Sequence, residues 1–176
     1  MTTIGLPTPL PGAYLVRAIS PGDEVALEAF YAALSPDSRE ARFHGAASIG
    51  ERAAHAFCVA EGHGRHGVVA EALDSDGRWV IVGHLCLEPL GDGTAELAVA
   101  VADRWQHHGV GRALLREALA WAPRHGVHVL VASVRWSNAP MLRLLRSTGR
   151  PVTYGTEDGG VLDVSLSITE PLPHAA

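Results

Sequence analysis

Between His66 and Ala102 three apolar runs follow one another with almost no chain between them: HGVVAEAL (66–73), RWVIVGHLCLE (78–88) and TAELAVAVA (94–102). The linkers are DSDG and PLGDG, and Asp-Gly steps support the backbone angles of tight reversals. Parallel pairing of neighbours needs a crossover of about a dozen residues, so runs this close must form an antiparallel meander. Any fold for this chain has to be built around that meander.

The flanking segments supply helices and further strands. Upstream, AYLVRAI (13–19) alternates like a strand, and SPGDEVALEAFYAAL places Leu27, Phe30, Tyr31 and Leu34 on one helical side. Segment 35–48 reads as a short helix or turn, and SIGERAAHAFCVA resumes helical periodicity behind a Ser48 cap. Downstream come a helix over 109–122, a strand VHVLVASVR (127–135), a short helix PMLRLLRST (140–148) and two strands near 151–155 and 161–168. The strand-helix-strand unit 94–135 calls for a right-handed crossover and locally parallel pairing. The expected fold is α/β (α+β), a mixed, mostly antiparallel central sheet of six to seven strands flanked by about four helices. One domain over 13–170 is expected, with a flexible Pro-rich arm at 1–12 and a tail at 171–176.

A chain of 176 residues, 47% hydrophobic and 19% charged, is long enough for one buried core. Its formal charge of −5 gives no general attraction to nucleic acid or to an anionic membrane, so neither is expected as a partner. The N-terminus has no basic and apolar leader pattern, and no apolar run approaches the ~20 residues of a membrane span. Two cysteines, Cys58 and Cys86, sit in apolar segments as reduced core thiols, which favours the cytoplasm.

Chemistry concentrates where the meander hands over to the helix, at Gln106-His107-His108-Gly109-Val110-Gly111 followed by Arg112. Glycines let the backbone bend and let an anion approach, and free amides at a helix start carry the positive end of its dipole. An anion cradle is one reading; a turn that needs glycine only for its geometry is the other. The three-glycine dinucleotide fingerprint and the G-K-[ST] phosphate loop are both absent. The histidines, including His63, His66, His107 and His108, do not form a convergent ligand set, so no metal is expected.

With the preceding strand included, the turn resembles the acetyl-CoA signature Q/R-x-x-G-x-G/A of the GCN5-related N-acetyltransferase (GNAT) superfamily. The order of elements from about residue 13 to 168 resembles that family too, and implies the GNAT fold. The resemblance implies acetyl-CoA as acyl donor, with pantetheine contacts at Val99, Ala100 and Val101. It also implies cofactor contacts at Gln106, His107, His108, Gly109, Val110, Gly111 and Arg112, the pyrophosphate lying on His107 to Arg112. A splay of the strand after Val101 would leave amides free for the donor. Asn138 matches an asparagine that in the family lies near the coenzyme arm, and it equally suits a helix cap.

An amine acceptor must lose a proton, since a lysine side chain has a pKa near ~10.4. Glu96 interrupts TAELAVAVA on the strand face of Ala98 and Ala100, and a carboxylate there can act as general base. By resemblance, bacterial protein-lysine acetyltransferase domains carry a glutamate at the matching place. Many superfamily members have a tyrosine acid where this chain has Leu145, which leaves the acid unassigned. The segment LSPDSREARFHG (34–45) resembles the L-S-P-x-S-x-x-x-R-F stretch of those lysine acetyltransferases. Arg39, Arg42, Phe43 and His44 there either shape acceptor access or form a capped helix start. The expected acceptor is a protein lysine; a small-molecule amine and a non-catalytic acyl-CoA sensor are the alternatives, and a homodimer is a candidate assembly.

Overall fold

The computed structural model describes residues 13–43, 51–58 and 65–168. The arm 1–12, the tail 171–176, the Ser48 cap, His44 and His63 lie outside them.

The meander forms as its spacing requires. Strand β2 (His66–Leu73) pairs antiparallel with β3 (Trp79–Gly91), and β3 pairs antiparallel with β4 (Thr94–Val101). The DSDG turn closes through Asp74, whose carboxylate accepts from the amides of Asp76 and Arg78, while Gly77 takes φ +74. Strand β3 runs on to Gly91, and the register shifts around Pro89, which has no amide to give a ladder.

The remaining strands are β1 (Tyr14–Ala18), β5 (Val129–Arg135), β6 (Val152–Asp158) and β7 (Val161–Ser167). They complete a seven-stranded sheet in the order β1-β2-β3-β4-β5-β7-β6. Within it β4 and β5 pair in parallel, as the 94–135 unit required. Five α-helices flank the sheet: α1 (Glu24–Ala32), α2 (Pro36–Phe43), α3 (Glu51–Cys58), α4 (Val110–Trp121) and α5 (Ala139–Arg146). Segment 35–48 is the source of the one beyond expectation, α2. Among the described residues no helix is long and apolar enough to cross a membrane.

Alternation along the strands divides the core in two. On one face Leu85, Leu87, Ala95 and Leu97 pack with Val110, Leu114 and Leu145 of α4 and α5. On the other, Val69, Ile81 and Ala100 pack with Leu27, Phe30 and Tyr31 of α1 and with Ala54 and Cys58 of α3. Burying each large apolar side chain contributes roughly 1.5–3 kcal/mol. Cys58 and Cys86 are both buried and free.

The second face also encloses His84, fully buried, with Nδ1 2.8 Å from the Tyr31 hydroxyl and the Phe57 ring centroid at 5.3 Å. Burial, helped by the nearby Arg42 charge, pushes the imidazole down to about 3. Below about pH 6.5 the unfolded chain therefore takes up a proton here that the native state refuses, and stability falls as pH drops toward 3. We expect thermal unfolding midpoints to fall between about pH 7.5 and pH 5, and to fall less steeply in His84→Gln, which can still pair with Tyr31. Parallel curves for the two proteins would remove His84 as the source.

Candidate active site

The site begins where β4 and β5 part. Their pairing covers only Thr94, Ala95 and Glu96 of β4, against Val129, Leu130 and Val131 of β5. The start of β5 is fixed by the Gly93 carbonyl, which accepts from the amides of both His128 (2.6 Å) and Val129 (3.1 Å). Beyond Val131, β5 follows β7 to Arg135, while β4 stays on β3 to Val101. The opening therefore starts after Glu96, earlier than the splay expected after Val101. From Leu97 to Val101 the β5-facing edge of β4 has no strand beside it.

A cleft of about 600 Å³ occupies that opening. Val99, Ala100 and Val101 line its floor, and α2 contributes Ser38, Ala41 and Arg42. Asn138, Pro140, Met141, Arg143 and Leu144 form the opposite wall, and Trp105, Gln106, His107, Gly109, Gly111 and Arg112 close one end. That end is a short 3-10 turn, Asp103–Trp105, followed by the start of α4.

Local geometry explains the glycines. Gly109 is the cap of α4 with φ +85, and a Cβ there would meet the Tyr14 hydroxyl at 3.3 Å. His107 takes φ +63, so a second left-handed residue helps to turn the chain just before the helix. Gly111 lies between Leu144 and Val101, where a Cβ would stand 3.4 and 3.7 Å from their methyls. The first amides of α4 have no partner within the helix and open toward the closed end of the cleft, where Arg112 and Arg143 add positive charge.

The candidate residues from the sequence divide in space. Val99, Ala100, Val101, Gln106, His107, Gly109, Gly111, Arg112 and Asn138 all line the cleft. Val110 turns its side chain into the core and the exposed His108 ring lies 2.6 Å from the Gln106 carbonyl; neither residue lines the cleft. Asn138 caps α5, accepting from the Met141 amide at 3.1 Å, and lines the cleft as well. Leu145 is in the core at 1% exposure, whereas its neighbours Arg143 and Leu144 face the cleft. Glu96 is exposed and stands beyond the lined region, opposite Glu88 of β3, whose carboxylate is held by Arg65 at 2.6 Å. Among the described residues no group of three metal-type side chains converges.

Residue order gave little sign of the network that joins α2 to this turn. Asp103 accepts from the Ser35 amide (3.0 Å), the Ser35 hydroxyl (2.6 Å) and the Ser38 hydroxyl (2.7 Å). The Ser35 hydroxyl, foremost, holds the Asp103 carboxyl below the usual carboxylate range. Gln106 Nε2 donates to Ser38 Oγ (3.0 Å) and to the Val101 carbonyl (3.2 Å), so its side chain braces the turn. Glu40 of α2 pairs with Arg135 at the end of β5. The two serines of LSPDS thus lock α2 over the opening, and their spacing at a helix start was the one signal of it in the sequence.

The Acetyltransferase (GNAT) family profile matches residues 27–149. The fold is similar to the GNAT domain of PAT from S. lividans, 25% identical over 86% of this chain and 89% of that one, with a TM-score of 0.74. It is also similar to paia N-acetyltransferase from Thermoplasma acidophilum, solved in complex with coenzyme A (15% identity, 88% and 99% coverage, TM-score 0.68). A GCN5-related N-acetyltransferase from Kribbella flavida gives 22% identity, 93% and 100% coverage and a TM-score of 0.68. No curated protein matches the sequence. The fold and the strand-to-helix cradle define an N-acetyltransferase. The chain belongs to the acetyltransferase (GNAT) family.

Two substitutions test the local geometry. Gly109→Ala must hold a left-handed alanine against Tyr14, and urea unfolding should show a loss of about 1–2 kcal/mol. Asp103→Ala removes the exposed anchor of α2 and should cost about 1 kcal/mol in the same measurement.

Proposed function

We propose that this chain is an acetyl-CoA-dependent N-acetyltransferase that acts on a protein lysine, as a single domain over 13–170 in the cytoplasm. Its family membership makes acetyl-CoA the acyl donor. The observation that carries the reading is the meeting of an unpaired β4 edge and the α4 N-terminus in one cleft. The open edge of β4 at Val99 and Val101, where only the Val101 carbonyl is taken, by Gln106, suits the amides of a pantetheine arm laid beside Val99, Ala100 and Val101 as an added strand. The amides from His107 to Arg112 suit a pyrophosphate, with Arg112 supplying charge, and Asn138 faces the same arm.

Glu96 is the general base in this reading. It precedes Val99 by about 10 Å of strand, which separates it from the pyrophosphate end. Small Ala98 beside it leaves space above the sheet, and the exposure of Glu96 gives an amine or a bridging water access to its carboxylate. The amine nitrogen attacks the thioester carbonyl and forms a C–N bond. The nitrogen's proton passes to Glu96, the C–S bond breaks, and the thiolate leaves with the electron pair and takes a proton from water. A thiol pKa near ~8.5 makes that departure feasible without a tyrosine, which neither Leu144 nor Leu145 provides.

The resemblance of LSPDSREARF to the lysine acetyltransferase stretch supports a lysine acceptor, and the likeness to the S. lividans PAT domain agrees with it. Free thiol release from acetyl-CoA should be followed with lysine peptides and with polyamines. Turnover confined to the small amines would sink the lysine assignment. Glu96→Gln should lower kcat by about 10²–10⁴ at neutral pH, and full activity in that variant across the pH range would remove Glu96 as base.

A further inference from the structure

The cleft holds a cation that no carboxylate of the described residues pairs with. Arg42, on the last turn of α2, lines the cleft on the face of the sheet that carries Glu96. Its Nη2 lies 3.6 Å from Cys86 Sγ, its guanidinium carbon is 4.8 Å from the Phe43 ring centroid, and its Nε is buried with no hydrogen-bond partner. Three other arginines are matched, Arg17 with Asp23 and Glu71, Arg65 with Glu88 and Arg135 with Glu40; among the described residues Arg112 and Arg143 also line the cleft without an ion pair, but neither has a buried nitrogen without a partner as Arg42 does. Among the described residues no ion pair includes Arg42.

The groups against it stay neutral. Burial raises the Cys86 thiol to about 11 and pushes the Tyr31 phenol well above its ordinary value, so neither ionises at neutral pH. The His84 imidazole is neutral for the same reason. The cleft's carboxylates, Asp37 in the first turn of α2 and Asp103 in the turn before α4, lie toward the other end of α2, and Asp103 is taken up by Ser35 and Ser38. A guanidinium packed against Phe43, with its Nε buried and unpartnered, presents a fork shaped for a carboxylate.

Its position selects which carboxylate. Cys86 faces Ala98 across the β3–β4 ladder, and the next pair on the same face is Glu88, held by Arg65, with Glu96. Arg42 therefore hangs one same-face step, about 7 Å, from the row of Glu96. We propose that Arg42 is a specificity-determining residue that binds a carboxylate of the acceptor while the acceptor's amine sits at Glu96. The inference rests on the reading of Glu96 as base. The carboxylate has two sources, a small amino acid or an acidic residue next to a lysine in a peptide.

Matched acceptors test it. L-lysine and cadaverine differ by the carboxylate, and so do two lysine peptides flanked by glutamate or by glutamine. The wild type should favour the carboxylate member of a pair by about 10-fold or more in kcat/KM, through KM. Arg42→Gln should collapse that ratio to within about 3-fold, and Arg42→Lys should restore part of it. Which pair shows the effect identifies the source. Binding of L-lysine and cadaverine to the coenzyme A complex, measured by calorimetry, reads the same preference without turnover. A lost kcat in Glu96→Gln with the binding preference kept would uphold Arg42, and a kept kcat with the preference absent would overturn it alone. The proposal also fails if the wild type shows no preference for either carboxylate, or if Arg42→Gln and Arg42→Lys depress both members of each pair equally.

Discussion

The short ladder between β4 and β5 is the constraint on which the site depends. Three paired residues hold the two halves of the sheet together, and then each strand follows its other neighbour. The gap this leaves is bounded by backbone that has no strand partner, which in an open cleft is free to pair with an extended ligand. Continuing the ladder to Val101 would satisfy those groups internally and abolish the groove. The fold thus keeps an internal strand edge open where ordinary pairing would close it.

An open edge needs walls, and these come from both core faces. On one side α4 and α5 pack through Leu114 and Leu145, which brings Gly111 against Leu144 and narrows the groove floor. On the other, α2 has no fully buried side chain, so packing alone holds it weakly. Polar contacts compensate: Ser35 and Ser38 on Asp103, Gln106 on Ser38, and Glu40 on Arg135. Because these contacts reach the turn that begins α4, the α2 wall and the turn are fixed relative to each other.

Much of this was readable from residue order. Period-two alternation and Asp-Gly turns specify the meander, because both act within a few residues. The Gln106-to-Gly111 turn was legible for the same reason, since left-handed backbone at Gly109 is a local demand. The point of strand divergence was misplaced at Val101, because it depends on how far β4 and β5 run side by side, and their paired residues lie 35 positions apart in the chain. The facing of α5 is a matter of packing. Leu144 and Leu145 are equally apolar, and only packing decides which one meets the core.

By itself, then, the sequence determined the strand meander, the glycine turn into α4 and the presence of a lone acidic residue, Glu96, on a strand of small side chains. Each of these follows from short-range sterics, alternation or composition. The tertiary structure alone decided that β4 parts from β5 after Glu96, that LSPDS is tied to Asp103 and Gln106, and that Arg42 stands against neutral neighbours. Such meetings join residues far apart in the chain, 44 positions for Arg42 with Cys86 and 68 for Ser35 with Asp103. No local preference specifies them; they are set by how the two sheet faces pack.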